Sequence, residues 1–336
     1  MSSDFSDATR DTYNPARPPP LNYTIKCNRR ELAIIVFFTL IFAEAGVLPL
    51  ILFYSIRWGA HLDNTKNLAI ITSLVGTYSG YKMARRSYYL FISDRGHQRR
   101  PLGASRFGPD AFTYVALCSP TWTWLSTRLS IQISLAMTGF FVPLIVGSSL
   151  NPGSVHAVAM SLPCFMICFC VPLLITGIWP HKVKMPFRVS SMPPYTGLPP
   201  AVYTMVEDVV AVDGGGCVEF RQAWRIRYEH SAIMRRIVRV TSLWWGTSGC
   251  VLAGAFVAIA WTTADDIGYG IGWGLPWLWA MVSGALTIGW VHRELEREQR
   301  MWADPDVHKI YSLHIAQTVD EEKVAEEVND YNERHV

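Results

Sequence analysis

Six stretches of this chain are apolar for long enough to cross a bilayer as helices, and this limits the fold more than any other feature. A spanning helix needs about 20 mostly apolar residues. The stretches are Leu32–Ile56, Leu68–Ile92, Ser130–Ser148, His156–Trp179, Val240–Thr262 and Gly268–Val291. The second carries Lys82, Arg85 and Arg86 in its later half, where long basic side chains can reach the headgroups. Half of the chain is apolar and only 17% is charged, against about 25% in an ordinary soluble domain. That excludes a disordered chain, a coiled coil and a typical soluble enzyme. A net charge of +3 is small for a nucleic-acid-binding domain, so no nucleic-acid partner is expected.

The basic residues order these stretches. Of 30 Lys and Arg, 28 fall in residues 1–31, 82–128, 180–239 and 292–336, and the other two are Arg57 and Lys66. Alternation of this kind marks the cytosolic side. The expected fold class is an all-α integral membrane protein with six transmembrane helices. Both termini and the loops 93–129 and 180–239 are expected in the cytosol. Residues 1–31 read as a flexible Pro-rich tail, 32–291 as the membrane domain, and 292–336 as a helical extension with an acidic tail. No short apolar stretch is followed by a small-residue cleavage site, so the first span is expected to act as an uncleaved anchor in the endoplasmic reticulum or another endomembrane.

The 180–239 loop carries two local patterns. Apolar, partly β-branched runs flank Asp213-Gly214, which predicts a short β-hairpin, with a glycine loop that receives an anion as the alternative. The lysine of a phosphate loop is absent. From Phe220 to Arg239 the spacing predicts one basic amphipathic helix lying on an anionic leaflet. Phe220, Trp224, Tyr228, Ile233 and Ile237 form its apolar side; Arg221, Arg225, Arg227, Arg235, Arg236 and Arg239 form its charged side.

Among residues that can do chemistry, Glu44 stands out. It is near the middle of the first span, where an acidic residue costs roughly 2.5–3.5 kcal/mol on insertion scales. A carboxyl group kept at that cost should face the bundle interior and stay protonated, able to donate a proton or to fasten two helices. Glu207 and Asp208 are a second candidate pair of acids, able to share a proton or bind a cation, or simply to form a solvated turn. Asp265 and Asp266 pose the same question in the short loop between the last two spans, and His156 is a candidate proton relay. Aromatic faces near a buried acid can stabilise a carbocation. Trp244, Trp245, Trp273 and Trp277 are therefore the candidate substrate contacts. Proline at 49, 143, 163, 172 and 276 should bend the spans, and Gly76 with Gly80 should allow a close helix approach. Cys164 and Cys168, one turn apart, read as small buried hydrophobes. No dinucleotide, Walker, HExxH, haem-attachment or nucleophile-elbow motif occurs, so neither cofactor nor metal is expected.

The run Val206-Glu207-Asp208-Val209-Val210-Ala211-Val212-Asp213-Gly214-Gly215-Gly216, followed by Arg227-Tyr228-Glu229 and Gly272-Trp273-Gly274-Leu275-Pro276-Trp277, resembles a group of poorly characterised fungal multi-pass membrane proteins. The resemblance covers roughly residues 25–300. It implies a membrane topology and a kingdom but no activity. Small fungal membrane terpene cyclases offer an analogy, since they use intramembrane carboxylates to protonate an olefin or epoxide; Glu44 is similar in kind. The leading expectation is thus an enzyme of fungal secondary metabolism. It would act on a lipophilic prenylated or polyketide intermediate by acid-initiated cyclisation or isomerisation. A proton-coupled small-molecule transporter and a non-catalytic membrane scaffold are the alternatives.

Overall fold

The computed structural model describes residues 21, 36, 39–40, 42–60, 62–91, 131–184, 189–193 and 195–302. The expected tail 1–31 (Leu21 apart), the loop 93–129 and the acidic tail from 303 lie outside these residues. Among the described residues nine α-helices follow one another. They are α1 (Leu48–Ser55), α2 (Asn64–Phe91), α3 (Ile131–Ser149), α4 (Val155–Ala159), α5 (Ser161–Ile178), α6 (Ala201–Asp208), α7 (Cys217–His230), α8 (Ala232–Thr262) and α9 (Asp265–Trp302). Helix α1 lies between two π-helical turns, Phe42–Val47 and Ile56–Ala60, and a third, Val209–Asp213, follows α6.

Among the described residues three helical units are long and apolar enough to cross a membrane: Val155–Ile178, Ala232–Thr262 and Asp265–Trp302. They support an integral membrane protein, in which each helix satisfies its own backbone hydrogen bonds. Their outer faces expose Val251, Leu278, Leu286 and Ile288, an apolar surface suited to lipid. Helix α9 is about 57 Å long at 1.5 Å per residue, well beyond an apolar thickness of about 30 Å. The expected span 240–262 is the C-terminal part of a longer helix, and 268–291 is an inner part of another. Of the other three expected spans, Thr138–Ser149 is a shorter apolar helix, and Leu32–Ile56 and Leu68–Ile92 do not meet the criterion among the described residues.

Small residues set the helix contacts. A Cβ at Gly249 would strike Cys170 Sγ, one at Gly246 would meet the Leu174 backbone at 2.6 Å, and one at Gly272 would strike the Ala159 carbonyl. Helix α8 thus approaches α5, and α9 approaches α4, closely enough to need small residues. Gly76, by contrast, has open space around it among the described residues. Pro143, Pro172 and Pro276 are inside helices. Pro163 sits in the first turn of α5, where its missing N–H breaks no helical bond.

The 180–239 segment departs most from expectation. Residues 201–213 are helical throughout, so the β-hairpin is not formed. The buried positions explain why. Tyr203, Glu207 and Ala211 recur every four residues, and burying that helical face outweighs the strand preference of Val206, Val209, Val210 and Val212. Asp213-Gly214 ends the π turn, and Gly215, at φ +70°, reverses the chain into α7. The single amphipathic helix of 220–239 is two helices broken at Ser231, whose extended backbone (φ −107°, ψ 114°) and hydroxyl cap α8 by accepting from Met234 N. Its apolar residues do not lie on a membrane. Phe220, Trp224, Tyr228, Ile233 and Ile237 join Tyr203 and Val238 in one core, against which Leu21, Trp290 and Val291 pack. Glu298 of α9 ties this unit down by accepting from Arg227 and from Ser231.

Candidate functional site

Glu44 stands in the π-helical turn Phe42–Val47, half-buried. Pro49 supplies the reason for an irregular backbone here. Its missing N–H releases the carbonyl four residues earlier, that of Ala45. Trp273 Nε1 on α9 donates to that carbonyl at 2.9 Å. One turn earlier on α9, Tyr269 donates to the Pro49 carbonyl at 3.4 Å and stacks on Phe53. One turn later, the Trp277 indole lies against Gly46, where a Cβ would come within 3.2 Å, and makes an edge contact with Phe42. Trp277 Nε1 is buried and has no hydrogen-bond partner among the described residues. Glu44 therefore shares its turn with the backbone atoms that Trp273 and Trp277 contact. Insertions of π geometry recur at functional sites because they turn side chains away from the regular helical face.

Glu207 and Asp208 form a separate centre. The pairings of Tyr203 with Trp224 and Tyr228, and of Glu207 with Arg221, run in opposite directions, so α6 and α7 are antiparallel. Arg221, fully buried, donates through Nη1 to Glu207 Oε1 at 2.9 Å and to Asp208 Oδ1 at 2.8 Å. Two hydroxyls complete the group. Ser190 donates to Asp208 at 2.7 Å, and Ser191 donates to Glu207. Both come from a tight turn closed by Val189 and Met192, with Ser190 in the left-handed region at φ 52°. Burial pushes the Glu207 carboxyl above its ordinary value, and Arg221 pulls it back part of the way. Trp224 Nε1 donates to the Tyr203 carbonyl, and burial raises the phenol of Tyr203 well above its usual range and that of Tyr228 to about 12. Two acids held by one buried arginine and two hydroxyls form a clamp that fixes α6 to α7, not a solvated turn.

The remaining candidates disperse. Val291, which packs on the α6–α7 core, is about 21 Å along α9 from Trp277. Glu44 thus has no access to Glu207 and Asp208. Trp245 donates to Thr287 at 3.0 Å and packs edge-on to Trp279, while Trp244 is exposed on the outer face. Only Trp273 and Trp277 of the four tryptophans meet the Glu44 turn. Asp265 pairs with His156 at 3.0 Å and Asp266 with Arg57 at 3.2 Å, which gives each acid its own basic partner. His156 also bonds the Thr263 carbonyl and stacks on Trp261, so it fastens α4 to the start of α9. Arg221, Ser190 and Ser191 are the residues that sequence reasoning missed. Arg221 shares the face of Trp224 and Tyr228 at spacing three and seven, a signal that placed it inside.

The model of a domain of unknown function, DUF8766, matches residues 6–302. The chain belongs to the DUF8766 family. No curated protein and no solved structure matches it. The DUF8766 region takes in the Glu44 turn, the Arg221 clamp and all three membrane-crossing units, and it ends where α9 ends.

Proposed function

We propose that this DUF8766 protein is a membrane-embedded enzyme acting on a lipophilic small molecule, with Glu44 as the general acid. The reading rests on one observation: Glu44 stands in a π turn bounded by Phe42, Trp273 and Trp277. The proposed reaction is an isomerisation. The Glu44 carboxyl gives its proton to an epoxide oxygen or an alkene carbon of the substrate, the C–O bond or the π bond opens, and a carbocation forms. The tryptophan faces stabilise that cation. Loss of a proton from a neighbouring carbon, taken up by the carboxylate, closes the cycle without change of formula. The resemblance to fungal membrane proteins suggests a prenylated or polyketide intermediate of secondary metabolism as the substrate class. The six-span arrangement, cytosolic termini and endomembrane location belong to the same proposal. Glu207 and Asp208 are assigned to the clamp and leave catalysis to Glu44.

The test uses membranes carrying the full chain, a farnesylated aromatic epoxide as probe, and chromatography with mass detection for an isomer of unchanged mass. Glu44→Gln should abolish the isomer while eluting and melting as the unsubstituted chain does. Full conversion by a folded Glu44→Gln would exclude the mechanism.

A further inference from the structure

Helices α8 and α9 leave a groove of about 450 Å³ on their outer face, toward the end of the bundle that carries the α6–α7 unit. Its walls are two stripes. Val240 and Trp244 of α8 face Leu286, Trp290 and Arg293 of α9, and Arg236 and Arg297 continue the two stripes at four-residue spacing beyond the groove. Trp245 bonds Thr287 across the pair, and Arg236 approaches Glu294 at 3.9 Å, so the stripes run side by side. Both change from apolar to cationic at the same level. Trp244 and Leu286 are exposed, 43% and 57%.

Two polar groups of the wall lack partners. Arg293 makes no ion pair among the described residues, because its neighbour Glu294 is approached by Arg236 and Arg297 instead. Thr241 is nine-tenths buried and its hydroxyl has no hydrogen-bond partner among them. Its helical neighbours Ser242 and Thr247 instead donate to carbonyls four residues back.

We propose that this groove is a binding site for an anionic phospholipid, with one acyl chain along Val240, Trp244, Leu286 and Trp290 and the phosphate on Arg293. An apolar slot that ends at Arg293 matches the order of chain and headgroup in a leaflet, and an arginine fork suits phosphate. The volume is that of a small-molecule site. A partner helix would lie along many more turns than the groove provides. The site is independent of the Glu44 reading, since Trp290 is about 20 Å along α9 from Trp277.

The test is native mass spectrometry of the purified full chain in detergent, titrated with dioleoyl phosphatidylglycerol or dioleoyl phosphatidylcholine. The chain should retain one phosphatidylglycerol in preference to phosphatidylcholine. Arg293→Gln should weaken phosphatidylglycerol retention about fivefold, the effect of one cation at a leaflet surface, and leave phosphatidylcholine unchanged. Gly289→Phe should abolish retention of both, because Gly289 has open space around it and the ring fills the slot without disturbing the core. Arg225→Gln, a charge removed from the exposed side of α7, should change neither. Equal retention of the two lipids by the unsubstituted chain would overturn the proposal. So would undiminished phosphatidylglycerol binding by Arg293→Gln. Should Arg293→Gln fail to fold, Gly289→Phe decides, and lipid retained by that folded variant overturns the site.

Discussion

Replacing Arg221 by methionine removes a buried cation that holds both Glu207 and Asp208 while keeping an apolar stem of similar reach. In the intact protein Nη1 is 2.9 and 2.8 Å from the two carboxylates. At an effective dielectric near 20 each contact is worth about 6 kcal/mol of gross attraction. Desolvation and the repulsion between the acids offset most of it, and loss of one partner from a buried ion pair costs about 3–5 kcal/mol net. Protonation limits the damage. A buried Glu207 without its arginine takes up a proton, which at pH 7.5 costs about 4 kcal/mol relative to an ordinary value of 4.5, and at pH 5.5 about 1.4 kcal/mol. The sign follows from linkage. Burial raises the folded-state value of Glu207, so its contribution is complete below the unfolded value and is lost as pH rises through the folded one. Arg221→Met moves that folded value higher still. The variant should therefore lose about 3–5 kcal/mol at pH 7.5 and regain up to about 1.4 kcal/mol per pH unit on acidification. Adding Glu207→Gln to Arg221→Met should recover part of the loss at pH 7.5 and flatten the pH dependence. The assay is reversible unfolding of the purified chain in mixed micelles by SDS titration at pH 5.5, 6.5 and 7.5. A loss below about 1 kcal/mol, or a large loss that does not vary with pH, would refute the reasoning.

Two further predictions concern the membrane core. Trp273→Phe keeps the ring but leaves the Ala45 carbonyl freed by Pro49 without its donor; the same unfolding assay should report a loss of about 1–3 kcal/mol, and an unchanged midpoint would remove the hydrogen bond from the account. Gly249→Ala places a methyl on Cys170 Sγ and should destabilise by about 1–3 kcal/mol, whereas Gly284→Ala on α9 meets open space and should be neutral or gain about 0.5–1 kcal/mol.

Part of this architecture was readable from the sequence for a plain reason. The apolar runs of 240–262 and 268–291 exceed what any soluble core requires, and a long apolar helix is the only local structure that satisfies their backbone in lipid. Their true ends were hidden, because Ile233 and Ile237 bury themselves against Trp224 and Tyr228 instead of facing lipid. The hairpin reading of 203–220 gave weight to β-branched residues and turn chemistry, while the four-residue recurrence of Tyr203, Glu207 and Ala211 held the opposing signal. Pro49 announced a broken hydrogen bond, and the donor that repairs it, Trp273, is more than 220 residues away in the chain. Ser190 and Ser191 reach the acids from a Pro-rich connection whose pattern carries no register, so their role appears only in three dimensions.

The positions of the Glu44 turn and the Arg221 clamp on one helix decide how their roles can be separated. Helix α9 contacts both, the first through Trp273 and Trp277, the second through Val291 and the Glu298 carboxylate that holds α7 and Ser231. The two levels are about four turns apart with no shared side chain, a separation at which perturbations add. Damage at the clamp therefore lowers the amount of folded chain without altering what each folded chain does. Damage at Glu44, whose turn is anchored through the Ala45 and Pro49 carbonyls, leaves those two hydrogen bonds in place. Glu207, by contrast, is itself a partner in the ion pair that fixes α6 to α7, so the two acids separate by what their removal breaks.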